Sequence, residues 1–341
     1  MPRNNIASAA IYGCAGLTLS DEEKRFFAEQ NPLGFILFAR NVDNPEQVRA
    51  LVDDLRACVG RRAPVLIDQE GGRVQRLKPP HWKKRPPMSV FGRLAERDMA
   101  LGRKAARLNA RLIAADLVDL GIDVDCAPLL DVPVAGAHDI IGDRAFGYDP
   151  ALVADLGRAV CDGLLDSGVM PIVKHIPGHG RALVDSHMDL PVVEADAATL
   201  AASDFAPFRS LRDAPWAMTA HVVYKAFDSQ RPATTSKIVI QDIIRDAIGC
   251  EAVLLSDDLS MKALRGDFAD RARDSLNAGC DVVLHCNGEM DEMRAVARGV
   301  RPLDDAAQER LARADSMLRR LPLADDAQAT LDGWLSSLET A

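Results

Sequence analysis

No stretch of this 341-residue chain holds the ~18 consecutive apolar residues that suggest a membrane span. The opening MPRNNIASAAIYGCAG carries one short apolar run and passes straight into a strand-like segment, so a soluble, cytoplasmic protein without a signal peptide is expected. A basic excess is lacking too: 41 Lys and Arg stand against 50 Asp and Glu, a formal net charge of −9. Such a field does not attract phosphate backbones or anionic lipids, which sets aside nucleic acid and membranes as partners. The seven cysteines show no paired spacing of a zinc site; scattered mostly through apolar runs, they read as reduced, buried small side chains. Gly71 and Gly72 have neither the spacing of a dinucleotide fingerprint nor a following GK[ST]. Linkers and repeats are also missing, which predicts one domain over residues 1–341.

What is present is ordinary globular material, 48% hydrophobic and 27% charged, enough for a substantial core. Short β-rich runs recur at Ala9 to Cys14, Gly34 to Phe38, Val65 to Asp68, Val124 to Ala127, Pro171 to His175, Ala217 to Ala220, Ala252 to Ser256 and Asp281 to His285. Helical periodicity fills the gaps at Pro45 to Val59, Met99 to Leu120, Pro150 to Ser167, Ala197 to Arg212, Lys237 to Ile248 and Phe268 to Ala278. This alternation predicts the α/β class, as a closed (β/α)8 TIM-type barrel. Asp304 to Arg320 and Ala327 to Leu338 add helices outside it, over about residues 304–341.

A barrel builds its site where strands end, so polar residues closing an apolar run carry the information. Those ends read VLIDQEGGRVQR, DCAPLLDV, IVKHIPGHG, MTAHVVY, LLSDDLSM and VLHC. Of the seven histidines, His175, His179, His187, His221 and His285 fall at or just after strands five, six and eight. Asp257 sits at the mouth of strand seven, where a buried acid is hydrogen-bonded or functional; capping the next helix is the structural alternative, and Asp258 suits it at least as well. Lys174 and His175 are neighbours, so strand alternation turns them to opposite sides unless the strand has ended. Pro177 to Pro191 is too long for a routine connection, and within it Asp185 and His187 are spaced so that a carboxylate can orient an imidazole. The turn at Gly71 and Gly72 brings Asp68, Arg73 and Arg76 toward a neutral polyhydroxylated ligand, acids accepting and arginines donating directed bonds. Arg144 follows the same logic, with an ion-pair brace as the structural alternative.

GFILFARN, IDQEGGRVQRL, IGDRAFG, KHIPGHG followed by DSH, and LLSDDLSMKA span residues 34 to 263, and AGCDVVLHCN continues them. Together they resemble glycoside hydrolase family 3, specifically its short single-domain bacterial β-N-acetylhexosaminidases of peptidoglycan recycling. The resemblance implies a retaining exo-β-N-acetylglucosaminidase acting on small muropeptide or chitobiose-like sugars, as a monomer or weak oligomer. It implies Asp257 as nucleophile, His187 as general acid/base and Asp185 as its orienting partner. Asp68, Arg76, Arg144, Lys174 and His175 match positions that hold the N-acetylglucosamine ring, and His179 reads as a brace of its loop. No metal or cofactor is implied. Histidine replaces the usual carboxylic acid of glycosidases; imidazolium can protonate a leaving oxygen and imidazole can then activate water.

Other classes make different demands. A metal-dependent barrel hydrolase also uses clustered His, Lys and Asp, but the HxH pair after strand one is missing; bound metal in the purified protein discriminates. A non-catalytic sugar binder needs neither Asp257 nor the DSH loop. Nearest are a family 3 β-glucosidase and a glycosyl phosphorylase, the latter because a histidine repels attacking phosphate less than a carboxylate does; a product assay with and without phosphate separates them.

Overall fold

The computed structural model describes residues 6–136, 139–182, 189–336 and 338. Eight parallel strands close into a barrel: β1 Ser8–Gly13, β2 Pro32–Leu37, β3 Val65–Ile67, β4 Val124–Asp125, β5 Met170–Ile176, β6 Trp216–Thr219, β7 Val253–Asp258 and β8 Val282–His285. Each pairs with its neighbours in sequence, and β1 closes on β8 with Ile11 opposite Leu284. Every residue of β2 and β5 is buried, because helices cover the outside while side chains fill the inside. That double burial makes parallel strands read as continuous apolar runs, and all eight expected runs overlap a barrel strand.

The connecting helices start where the sequence offers caps. Asn44 accepts from the amide of Gln47, Pro45 opens the helix Pro45–Val59, and Gly60 ends it at φ 64°. Asp149 and Pro150 begin Pro150–Asp166 in the same way. The expected helix over 197–212 is two short ones, Ala197–Ala202 and Ala206–Ser210. Pro207, in the first turn of the second, has no amide to continue the first. Outside the barrel, Ala327–Ser336 packs on Met99–Asp119, and Asp305–Asp315 lies near β7.

All seven cysteines are free thiols, six of them buried and Cys58 half-buried. Burial pushes the Cys14 and Cys161 thiols up to about 12, so they stay protonated and act as small apolar groups. Among the described residues no helix is long and apolar enough to cross a membrane.

Candidate active site

The carboxyl ends of the strands surround a cavity of about 200 Å³, lined among others by Asp68, Arg76, Arg144, Lys174, His175 and Asp257. That is below the ~300 Å³ typical of the smaller ligand pockets, which suits one small ring better than a polymer. Asp185 and His187 lie outside the described residues. Of the other residues singled out for catalysis or sugar binding, all but Arg73 meet at this cavity.

At its floor is a charged network. Lys174 Nζ lies 2.8 Å from Asp68 Oδ1 and 2.7 Å from Glu70 Oε1, and Arg76 Nη2 donates to Asp68 Oδ2 at 3.1 Å. Arg144 grips Glu70 with two parallel bonds of 2.9 Å. Burial by itself would raise the Asp68 and Glu70 carboxyls, but Lys174 with Arg76 or Arg144 outweighs it and holds both below their ordinary range. Burial alone would likewise discharge Lys174; the two carboxylates reverse this and keep it charged. From this network three cations and two anions face the cavity, their donors and acceptors held in fixed directions. Phe38 stacks under this rim, with the Arg76 guanidinium 5.4 Å from its ring centre.

Lys174 and His175 both line the cavity, so strict alternation does not hold for them. The register of β5 against β6 shifts between Lys174 and Ile176, and such an irregularity lets consecutive side chains share a face. His175 Nδ1 lies 2.8 Å from Asp131 Oδ2, while the amides of His175 and His179 both donate to Asp131 Oδ1, at 3.2 and 2.6 Å. Burial raises the Asp131 carboxyl, but the His175 charge and hydrogen bond outweigh it, leaving it at about 2. His179, expected to brace its loop, also lines the cavity.

Burial, then the neighbouring His175, pulls the His179 imidazole from 6.5 down to about 4, against the pull of Asp131 and Asp257. The unfolded chain binds this proton near 6.5 and the fold only near 4, so stability is full above that interval and falls as pH drops through it. Thermal midpoints measured from pH 7 to pH 4 should decline, and His179→Gln should flatten the slope. An unchanged slope removes His179 as its source.

Asp257 reaches the cavity from the end of β7, one carboxylate oxygen receiving the amide of Asp258 at 2.8 Å. Asp258 also lines the cavity but is bound into structure: its carboxylate accepts from the amide and hydroxyl of Ser260, at 3.0 and 2.5 Å, and from the amide of Cys286 at 3.1 Å. Arg73 is not at the cavity; it pairs with Asp143 at 3.2 Å and braces the carbonyls of Asp139 and Ile140. Glu70 and Asp131 were missed by residue reading. Glu70 had a usable signal, because it stands two residues after Asp68 in extended chain and so shares its side. Among the described residues no three or more His, Cys, Asp or Glu side chains are grouped to hold a metal.

Residues 10–320 match the family described as "Glycosyl hydrolase family 3 N terminal domain". A β-hexosaminidase of Alkalilimnicola ehrlichii is 40% identical over 309 residues, covering 89% of this chain and 87% of that one. One from Aromatoleum aromaticum is 39% identical over 277 residues, covering 80% and 77%. NagZ from Neisseria gonorrhoeae, solved with N-trifluoroacetyl-D-glucosamine, superposes with a TM-score of 0.86 at 33% identity, over 97% of this chain and 98% of that one. With its barrel, its strand-end site and this match over nearly its whole length, the chain belongs to glycosyl hydrolase family 3.

Proposed function

We propose that this glycoside hydrolase is a retaining exo-β-N-acetylglucosaminidase, removing terminal N-acetylglucosamine from peptidoglycan fragments such as GlcNAc-1,6-anhydro-MurNAc, with or without peptide. The observation that carries this reading is Asp257 at the mouth of β7, lining one cavity with Asp68, Arg76, Arg144, Lys174 and His175. Its relatives' names support hexosaminidase action. The N-acylated glucosamine bound by the Neisseria protein favours an acetamido sugar over glucose. In this reading residues 1–341 form one catalytic unit that works in the cytoplasm.

In the first step an Asp257 oxygen attacks the anomeric carbon while His187, as imidazolium held by Asp185, gives its proton to the leaving oxygen. The glycosidic bond breaks and a glycosyl ester forms. In the second, neutral His187 takes a proton from water, the water oxygen attacks the same carbon, and Asp257 leaves as carboxylate. Two inversions at one carbon give retention.

Trapping tests it. Mass spectrometry after reaction with a 5-fluoro N-acetylglucosaminyl donor should show one sugar on the peptide containing Asp257. An inverted anomeric product, or a label elsewhere, sinks the mechanism.

A further inference from the structure

His221 has no part in the chemistry above, yet it is fully buried just past β6 and bonded at both ring nitrogens. Its Nε2 lies 3.0 Å from the carbonyl oxygen of Asp258. A carbonyl only accepts, so Nε2 carries a hydrogen. Burial lowers the affinity of the ring for a second proton, against the charge of Asp257, and the neutral ring leaves Nδ1 as an acceptor. Thr234 Oγ1 lies 2.7 Å from Nδ1 and 3.2 Å from the carbonyl of Ala220; its one hydrogen goes to the nearer Nδ1, which has no other donor, and Thr219 Oγ1 donates to Thr234 Oγ1 at 2.8 Å. Thr219 and Thr234 are fully buried as well, so these hydrogen bonds are made within the protein and not to solvent.

The chain ends on the carbonyl of Asp258, the residue after Asp257. The carbonyl of Asp258 is held by His221, and the amide on the other side of the same peptide bond, that of Leu259, donates to Leu284 O at 2.8 Å. The amide of Asp258 in turn holds Asp257 Oδ1 at 2.8 Å. With the peptide after residue 258 held at its carbonyl and its amide, the backbone that aims the Asp258 amide at Asp257 Oδ1 is held in place. We infer that His221 is a positioning residue for the reaction, fixing the backbone at Asp258 so that Asp257 meets the anomeric carbon in line. The inference rests on Asp257 being the nucleophile. Thr219 and Thr234 serve it by holding the ring in the tautomer that donates from Nε2.

A positioning role predicts loss in the chemical step rather than in sugar binding. His221→Leu should lower kcat on aryl N-acetylglucosaminides by about 10- to 100-fold, the scale of an ångström-level misplacement, with KM changed less than about threefold. His221→Gln offers an amide donor to the Asp258 carbonyl and should bring kcat back to within about fivefold of the parent. A kcat within about twofold of the parent in His221→Leu overturns the inference. So does a change confined to KM or thermal midpoint, or failure of glutamine to restore kcat. If His221→Leu does not fold, Thr234→Val is read in its place: it removes the hydroxyl that sets the tautomer and should lower kcat about three- to tenfold, and an unchanged kcat again overturns the inference. Trapping with the 5-fluoro donor separates this result from the reading beneath it. No sugar on the Asp257 peptide of the parent fails the nucleophile assignment, whereas a labelled parent with equally fast labelling of His221→Leu fails the positioning role.

Discussion

Asp257→Ala is expected to lose about 10,000-fold in kcat, roughly 5 kcal/mol of transition-state stabilisation, while the protein stays folded. The effect is large because the other cavity carboxylates are committed to visible partners. Asp68 and Glu70 are committed to Lys174, Arg76 and Arg144, and Asp131 is committed to His175 and the amide of His179. Asp257 is at the cavity with its neighbour's amide on one oxygen, a bond that aims the group without neutralising it. The loss should therefore appear in turnover far more than in the thermal midpoint.

Asp258→Ala should show the opposite balance. It strands the amides of Ser260 and Cys286 that its carboxylate now receives, and each stranded group costs about 1–3 kcal/mol. Turnover per folded molecule should fall far less than for Asp257→Ala. Steady-state rates and thermal melts on both variants check the contrast. Activity of Asp257→Ala within about tenfold of the parent, a loss of only ~1.4 kcal/mol, makes the assignment wrong.

Which parts of this arrangement the sequence discloses follows from where each signal is stored. The barrel was legible because a parallel strand covered on both sides is an uninterrupted apolar run, as β2 and β5 are. Helices with broad buried faces were legible too, Pro45–Val59 and Phe268–Ala278 with their bounds as read. Asp21–Gln30 was not, because only Glu23, Phe26 and Phe27 are buried in it, too few to set a period. Met88–Arg97 was hidden by Gly92 in its middle, a residue that weakens a helix; a Cβ there would sit 1.6 Å from Phe146 O, so the position is kept bare for close packing.

At the site, Asp257, Lys174, His175 and Asp68 stood out because charge at the end of an apolar run is unusual. Glu70 and Asp131 act through partners 74 and 44 residues away, and a distance of that kind is written only in the fold. The shared face of Lys174 and His175 was likewise unreadable, since a register shift leaves no mark on residue type. His221 was visible as a strand-end histidine, but its bond to a backbone carbonyl was not.

Glu70→Leu should be the most destabilising single change at the site, by about 3–5 kcal/mol at pH 7, because it breaks buried ion pairs from one side. Glu70 is 1% exposed and holds both Lys174 and the fork of Arg144. Without it, Lys174 and Arg76 are left with Asp68, and Arg144 is left with its bond to the carbonyl of Ile140 in place of the fork. Sugar binding should weaken with stability, since these cations lose their fixed directions. The pH dependence identifies charge as the cause. The folded carboxyl of Glu70 lies below its ordinary 4.5, so its contribution is present above 4.5 and is lost as pH falls through the lower folded value. The gap between parent and Glu70→Leu should therefore be full at pH 7 and narrow below 4.5, whereas a loss due to altered packing keeps the same gap at both. Urea unfolding of the two proteins at pH 7 and in acid measures it, and a gap under ~1 kcal/mol at pH 7 denies Glu70 its place as the anion that holds the site together.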